Sequence, residues 1–220
     1  MNCWLISQHF SYKLNEYFHK RHNQLCYRHN RHPLRNTKGL TMPATYTLIA
    51  SNTLSSAAAS VTFSSIPATY TDLVVRCTVR STRASTATDS IRVRLNSATT
   101  SYSARTLRGW TDGTTIQLQS STGNSAYITT YSPSASSTAS TFSSTELYIP
   151  NYAGSTNKPL SVFSVSEDNT TTTPANAWQV YADASLWSNT AAITSIEFTS
   201  ANSANLVSGS SFFLYGIRNS

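Results

Sequence analysis

Beyond residue 32 the chain has no histidine, so the commonest general base is missing from the larger part of it. Charge is scarce as well: 11% of residues are Asp, Glu, Lys or Arg, against about 25% in an average domain. Seven glycines are too few for a glycine-rich phosphate cradle, and neither Gly-x-Ser-x-Gly nor a phosphate-loop or dinucleotide glycine pattern occurs. Three cysteines, Cys3, Cys26 and Cys77, cannot make a disulfide framework. No run approaches the roughly 18 consecutive apolar residues of a spanning helix. Met1–Phe10 lacks a positive leading region and is broken by Gln8 and His9, so no secretory signal is expected.

Hydroxyls replace charge. From Met42 onward, 65 of 179 residues are Ser or Thr. Such a composition argues against a helical bundle, because Ser and Thr are indifferent helix formers. Recurrent Val, Ile, Leu, Tyr, Phe and Trp argue equally against a disordered tail. The apolar residues recur with period two. They predict strands at 46–50, 60–64, 73–80, 91–95, 115–119, 126–131, 146–149, 160–165, 178–182, 193–198 and 212–217. Leu73, Val75, Cys77 and Val79 share one face of the third, and Ile91, Val93 and Leu95 one face of the fourth. Asp112-Gly113 between alternating runs signals a hairpin, and Pro67 and Pro150 end strands. The expected fold is an all-β, antiparallel, two-sheet sandwich of jelly-roll type, with about 8–11 strands. Hydroxyl-rich outer faces would give it a surface without apolar patches.

The chain has two unlike segments. Residues 1–41 carry seven Lys/Arg and one acid, together with all five His; residues 42–220 carry nine Lys/Arg and eight acids. The basic pI therefore belongs to an arm, not to the domain expected over 42–220. Three readings of the arm stand side by side. It is a nucleic-acid-binding arm that releases counterions from phosphates. It is a zinc site built from His19, His22, Cys26, His29 and His32, a weak signal with a single Cys near the histidines. Or it is an artefact of translation begun upstream of Met42, where the composition changes.

Within the domain no catalytic, cofactor or metal residue is expected. Glu167-Asp168 are adjacent on an expected loop, which reads as a solvated turn, and Cys77 reads as a buried, inert thiol. Arg76, Arg80, Arg83, Arg92, Arg94, Arg105 and Arg108 lie within 33 positions. They suit a basic stripe for an anion, plain solvent-facing positions partly paired with Asp72 and Asp89, or a subunit contact; Arg92, Arg94, Arg105 and Arg108 are the interface or anion-binding candidates. Trp110, Tyr131, Tyr152, Trp178 and Trp187 are able to stack on sugar rings. Trp110 and Tyr152 border expected turns and are the glycan-binding candidates. Asn169-Thr170-Thr171 is a glycosylation sequon, meaningful only in a secretory pathway.

Three stretches and the ending carry a likeness. They are Phe63-Ser64-Ser65-Ile66-Pro67-Ala68-Thr69-Tyr70-Thr71-Asp72-Leu73-Val74-Val75, Leu147-Tyr148-Ile149-Pro150-Asn151-Tyr152-Ala153-Gly154-Ser155, Leu186-Trp187-Ser188-Asn189-Thr190-Ala191-Ala192-Ile193-Thr194-Ser195-Ile196 and Phe213-Leu214-Tyr215-Gly216-Ile217. Together they resemble a group of tailed-bacteriophage virion proteins of marine and cyanobacterial phages, over Met42 to Asn219. The motifs are turn and strand signatures, so the resemblance implies no site residues. It implies a non-enzymatic, β-rich particle component located in the virion: a capsid decoration or a tail fibre or appendage module. Its partners would be other virion proteins and copies of itself, a trimer being favoured, with a host surface glycan as a further ligand and no membrane. Two other readings compete: a jelly-roll coat protein whose basic arm binds nucleic acid, and a host-glycan-binding module.

Overall fold

The computed structural model describes residues 45–109, 116–125, 128–167 and 179–218. The whole of the basic arm, Trp110, the Asp112-Gly113 turn, Asp168, the sequon at 169–171 and Trp178 lie outside the described residues. The described chain is all-β and without helix. Its strands are β1 (Tyr46–Thr53), β2 (Ser60–Phe63), β3 (Asp72–Thr78), β4 (Thr88–Leu95), β5 (Tyr102–Gly109), β6 (Ile116–Ser125), β7 (Ile128–Pro133), β8 (Ser144–Ile149), β9 (Lys158–Ser166), β10 (Gln179–Trp187), β11 (Ile196–Ser200) and β12 (Ser211–Ile217). Eleven answer to the expected runs. The twelfth, β5, was not expected, because Leu107 is its one large aliphatic side chain and that side chain points outward.

All pairing is antiparallel, in one sheet of order β1-β12-β3-β8-β9-β10-β5-β6 and a second of order β2-β11-β4-β7. Eight strands make a jelly roll. β1-β12-β3-β8 faces β2-β11-β4-β7, and the chain passes between the two sheets in two Greek keys. The other four are two additions: β5–β6 between β4 and β7, and β9–β10 between β8 and β11. They join each other through β10 and β5 and prolong the larger sheet beyond β8. We call these four strands the wing.

The core lies mainly between the eight jelly-roll strands, follows from their alternation, and is extended by Tyr102, Leu160, Val162 and Trp187 of the wing. Leu73, Val75, Cys77, Phe212 and Leu214 from the larger sheet meet Val61, Phe63, Ile91, Val93, Leu95, Ile196 and Phe198 from the smaller, all buried. The Phe198 and Phe212 rings sit 5.1 Å apart at a tilt of 47°. Each such side chain contributes about 1.5–3 kcal/mol of burial.

The connections are held by side chains that the strand pattern does not reveal. Asn96 has φ 51°, and its Oδ1 accepts from the Thr194 and Ser195 amides at 2.8 and 3.1 Å while its Nδ2 donates to Ala192 O at 2.8 Å. Asp72 accepts from the Asn151 amide at 2.9 Å and from Tyr148 Oη at 2.8 Å. Lys158, fully buried, donates to the carbonyls of Gly154, Thr156 and Thr190, and burial lowers its pKa. The Tyr70 ring packs against Gly216, where a Cβ would overlap it.

Candidate functional site

The arginines expected to form one stripe are dispersed by the topology. Arg92 and Arg94 lie on β4 of the smaller sheet, whereas Arg76, Arg105 and Arg108 belong to the larger. On β5, Arg105 is exposed and Arg108 is 4% exposed on the opposite face. Arg76 pairs with Glu146 at 2.8 Å, Arg83 with Asp89 at 3.7 Å and Arg94 with Glu197 at 3.9 Å. Arg92 Nη2 donates to Ala201 O at 2.8 Å, and Arg105 Nη1 donates to its neighbour, Ala104 O, at 3.0 Å. Arg80, expected at the surface, is buried. Its guanidinium donates to Ser137 O, Thr138 O and Thr141 O at 3.0, 2.8 and 3.0 Å, and to Thr141 Oγ1 at 2.9 Å. Sequence neighbours on successive strands therefore do not add up to one field.

Tyr152 also differs from expectation. The residue is wholly buried, with its hydroxyl donating to Pro67 O and accepting from the Tyr70 amide at 3.4 Å. A ring enclosed in this way pins the 67–70 turn to the 151–154 turn and offers no face to a sugar. Trp187 is likewise enclosed, 6.1 Å from Tyr102 in a stacked arrangement. Of the aromatic candidates that the structure describes, Tyr131 alone lines a polar opening. Cys77 is buried, and desolvation raises its thiol pKa to about 12, so the thiol is inert at neutral pH.

The wing is where the structure departs most from a hydroxyl-coated sandwich. Part of its inward face is polar, while Tyr102, Leu160, Val162 and Trp187 on the same face join the apolar core. Gln179, Tyr181, Asp183 and Ser185 of β10, Thr106 and Arg108 of β5, and Ser164 and Ser166 of β9 are all buried. Asp183 is the hub: it accepts from Thr106 Oγ1 at 3.1 Å, from Ser185 Oγ at 2.7 Å and from Tyr181 Oη at 3.4 Å. Burial raises the Asp183 pKa against the lowering effect of these donors, and raises that of Tyr181. Tyr131, on the edge strand β7, meets Tyr181 edge-on at 5.2 Å, and the Arg108 guanidinium lies over its ring at 4.4 Å. Where this face passes β7 it opens a cleft of about 370 Å³, lined by Thr106, Gln119, Ser121, Thr129, Tyr131, Tyr181 and Asp183 among others.

The outward face of the wing is apolar. Ile116 is 73% exposed, Leu118 81%, Phe163 54%, Leu107 49% and Val180 47%. They fall in register. Leu118 sits opposite Leu107, Leu107 opposite Ala182, and Ala182 opposite Phe163; the next row pairs Ile116 with Gly109, Gly109 with Val180 and Val180 with Val165. The small Ala182 and Ala184 floor a groove of about 590 Å³ between Phe163 on one side and Leu107 and Leu118 on the other. Toward β8 the same face carries the Arg76–Glu146 pair.

Comparison with family models, with curated proteins and with solved structures finds no significant match to this chain. Among the described residues no group of three or more His, Cys, Asp or Glu is placed to hold a metal ion. Sequence reasoning missed Asp183, Thr106 and Gln119. The signal lay in 179–187, where polar Gln179, Tyr181, Asp183 and Ser185 alternate with Val180, Ala182, Ala184 and Leu186. Alternation says that the two faces differ, but not which one turns inward.

Proposed function

We propose that this chain is a non-enzymatic structural module that assembles with copies of itself through the outward face of the wing. The observation that carries this reading is the inverted polarity of part of the wing: around Gln179, Tyr181, Asp183, Thr106 and Arg108 polar groups face inward, and large apolar side chains on the other face meet solvent. Five such side chains in one patch expose roughly three whole side chains of apolar area, worth on the order of 4–9 kcal/mol when covered. Isolated apolar residues on a surface are ordinary; a registered patch on a sheet face marks a contact. The occupant we favour is a second copy, because the Phe163 ridge beside an alanine-floored groove is complementary to itself, and sheets pack face to face about 10 Å apart. Self-association through this face supports an oligomer without fixing its number. Five described carboxylates support a role outside catalysis: Asp72, Asp89, Glu146, Asp183 and Glu197 are each engaged by side-chain or backbone donors of the fold itself.

The location of that assembly, as a head decoration or tail appendage of a tailed-phage particle, rests on the resemblance of the turn and strand motifs and on the jelly roll that carries them. Sedimentation velocity of the full chain tests the assembly. Wild type should associate, and Leu107→Glu with Leu118→Glu should sediment as a monomer with an unchanged circular dichroism spectrum. A monomeric wild type at high concentration would sink the reading. Peptide mass spectrometry of purified particles tests the location, and absence of the chain from them would remove it.

A further inference from the structure

We propose that the cleft on the inward side of the wing binds one pyranose ring of a neutral glycan, with Asp183, Gln119 and Tyr131 as the contacting side chains. The proposal is independent of self-association, which uses the opposite face. Its first support is size. A cleft of about 370 Å³ lies at the lower end of the range for small-molecule sites, fitting a single sugar unit better than an extended ligand.

Its second support is chemistry. A sugar presents adjacent hydroxyls that each donate and accept, and a ring whose C–H face is apolar. Asp183 is an acceptor held in place by three hydroxyl donors, from Thr106, Ser185 and Tyr181. Oδ2 already accepts two of these and Oδ1 only one, so Oδ1 can take a sugar O–H as well. Gln119 stands opposite Thr106 in the β5–β6 ladder and brings both an amide donor and a carbonyl acceptor to the rim. Thr129 and Ser121 add rotatable hydroxyls. Tyr131 supplies a half-buried ring, fixed by the Arg108 guanidinium over it and by Tyr181 at its edge. Such a ring is held in position before a ligand arrives, which removes part of the ordering cost of binding.

The charge pattern selects among ligands. The one carboxylate in the lining, Asp183, is set against the one cation beside it, the Arg108 guanidinium over Tyr131, and no lysine or arginine is in the lining itself, which disfavours phosphate, sulfate or acidic sugars. A lone carboxylate without histidine or a second acid does not suit a metal ion. What remains is a neutral polyol with an apolar face.

The experiment is saturation-transfer NMR on the full chain with the methyl glycosides of glucose, galactose and mannose, followed by a glycan array. Ring-proton signals are expected for at least one glycoside. Gln119→Ala, an exposed position on β6, should weaken binding about tenfold. Asp183→Asn should weaken it as much or more while melting no lower than wild type, which separates lost binding from lost fold. The proposal is overturned if no glycoside gives a signal and the array is blank. It is overturned too if both variants bind like wild type, or if the chain retains only anionic glycans in a salt-sensitive way, since that would place the ligand on arginines.

Discussion

Replacing Arg80 by Met should destabilise the sandwich more than any change at the surface arginines. The methionine keeps the apolar stem and removes the guanidinium. Four hydrogen bonds go with it, to the carbonyls of Ser137, Thr138 and Thr141 and to the Thr141 hydroxyl. They tie the whole β7–β8 connection to the end of β3. A hydrogen bond to a charged group contributes about 1.5–3 kcal/mol, and the four are not additive because water reaches part of the loop. The expected loss is about 3–5 kcal/mol, a large share of the 5–15 kcal/mol typical of a domain. For a chain of this size the melting temperature should fall by roughly 6–20 °C. Urea denaturation followed by circular dichroism gives the free energy, and an unchanged slope would confirm that two-state behaviour is kept. Arg80→Lys should recover part of the loss, since an ammonium reaches fewer of the acceptors. A loss below about 1 kcal/mol for Arg80→Met would refute the reasoning. It would show that Ser134 and Ser137, which donate to Thr86 O and Ala87 O, hold the loop without the arginine.

Asn96→Gly should cost less than Asn96→Ala in chemical denaturation. Glycine tolerates φ 51° and loses only the hydrogen bonds to 192–195, whereas alanine loses both, with the gap about 1 kcal/mol. Cys77 should resist alkylation at pH 8 in the native chain and react in denaturant, read on its own tryptic peptide; native labelling would contradict a buried thiol of pKa about 12. Because burial raises the Asp183 pKa above its ordinary 3.8, the fold holds that proton more tightly than the unfolded chain does. The contribution of Asp183 to stability is therefore greatest below about pH 4 and declines as pH rises through the folded value. Asp183→Asn should flatten the stability profile above that point and be at least as stable as wild type at pH 7. A steeper profile, or a destabilised variant, would mean that the carboxylate is stabilised by its three donors more than it is penalised by burial.

The jelly roll was legible because its strands obey the simplest rule of a half-buried sheet. In β3 and β4 one parity is apolar and turns inward, and Leu73, Val75, Cys77, Ile91, Val93 and Leu95 lie where alternation puts them. Part of the wing was not legible because it follows the same period with the opposite sense, although Leu160 and Val162 of β9 keep the usual one. Val180 and Leu107 point to solvent while Asp183 and Thr106 are enclosed, so a reading that sends every apolar parity inward fails there. It fails again for Arg80 and Arg108, cations read as surface or interface positions and enclosed here by neutral carbonyls or against an aromatic ring. Tyr152 fails for a related reason: a turn position signals exposure for the backbone, while a long side chain is free to reach back into the core.

The pairing of β1 with β12 has a consequence for how the molecule is made. The opening strand of the sandwich finds its neighbour only in the closing one, and that closing strand slots between β1 and β3. A ribosome adding about 5–20 residues per second leaves β1 waiting on the order of ten seconds or more for its partner. Removing β12 would thus excise an inner rib of the sheet and not its border. The nascent polypeptide has to keep Leu48 and Ile49 from straying to another chain until β12 has emerged.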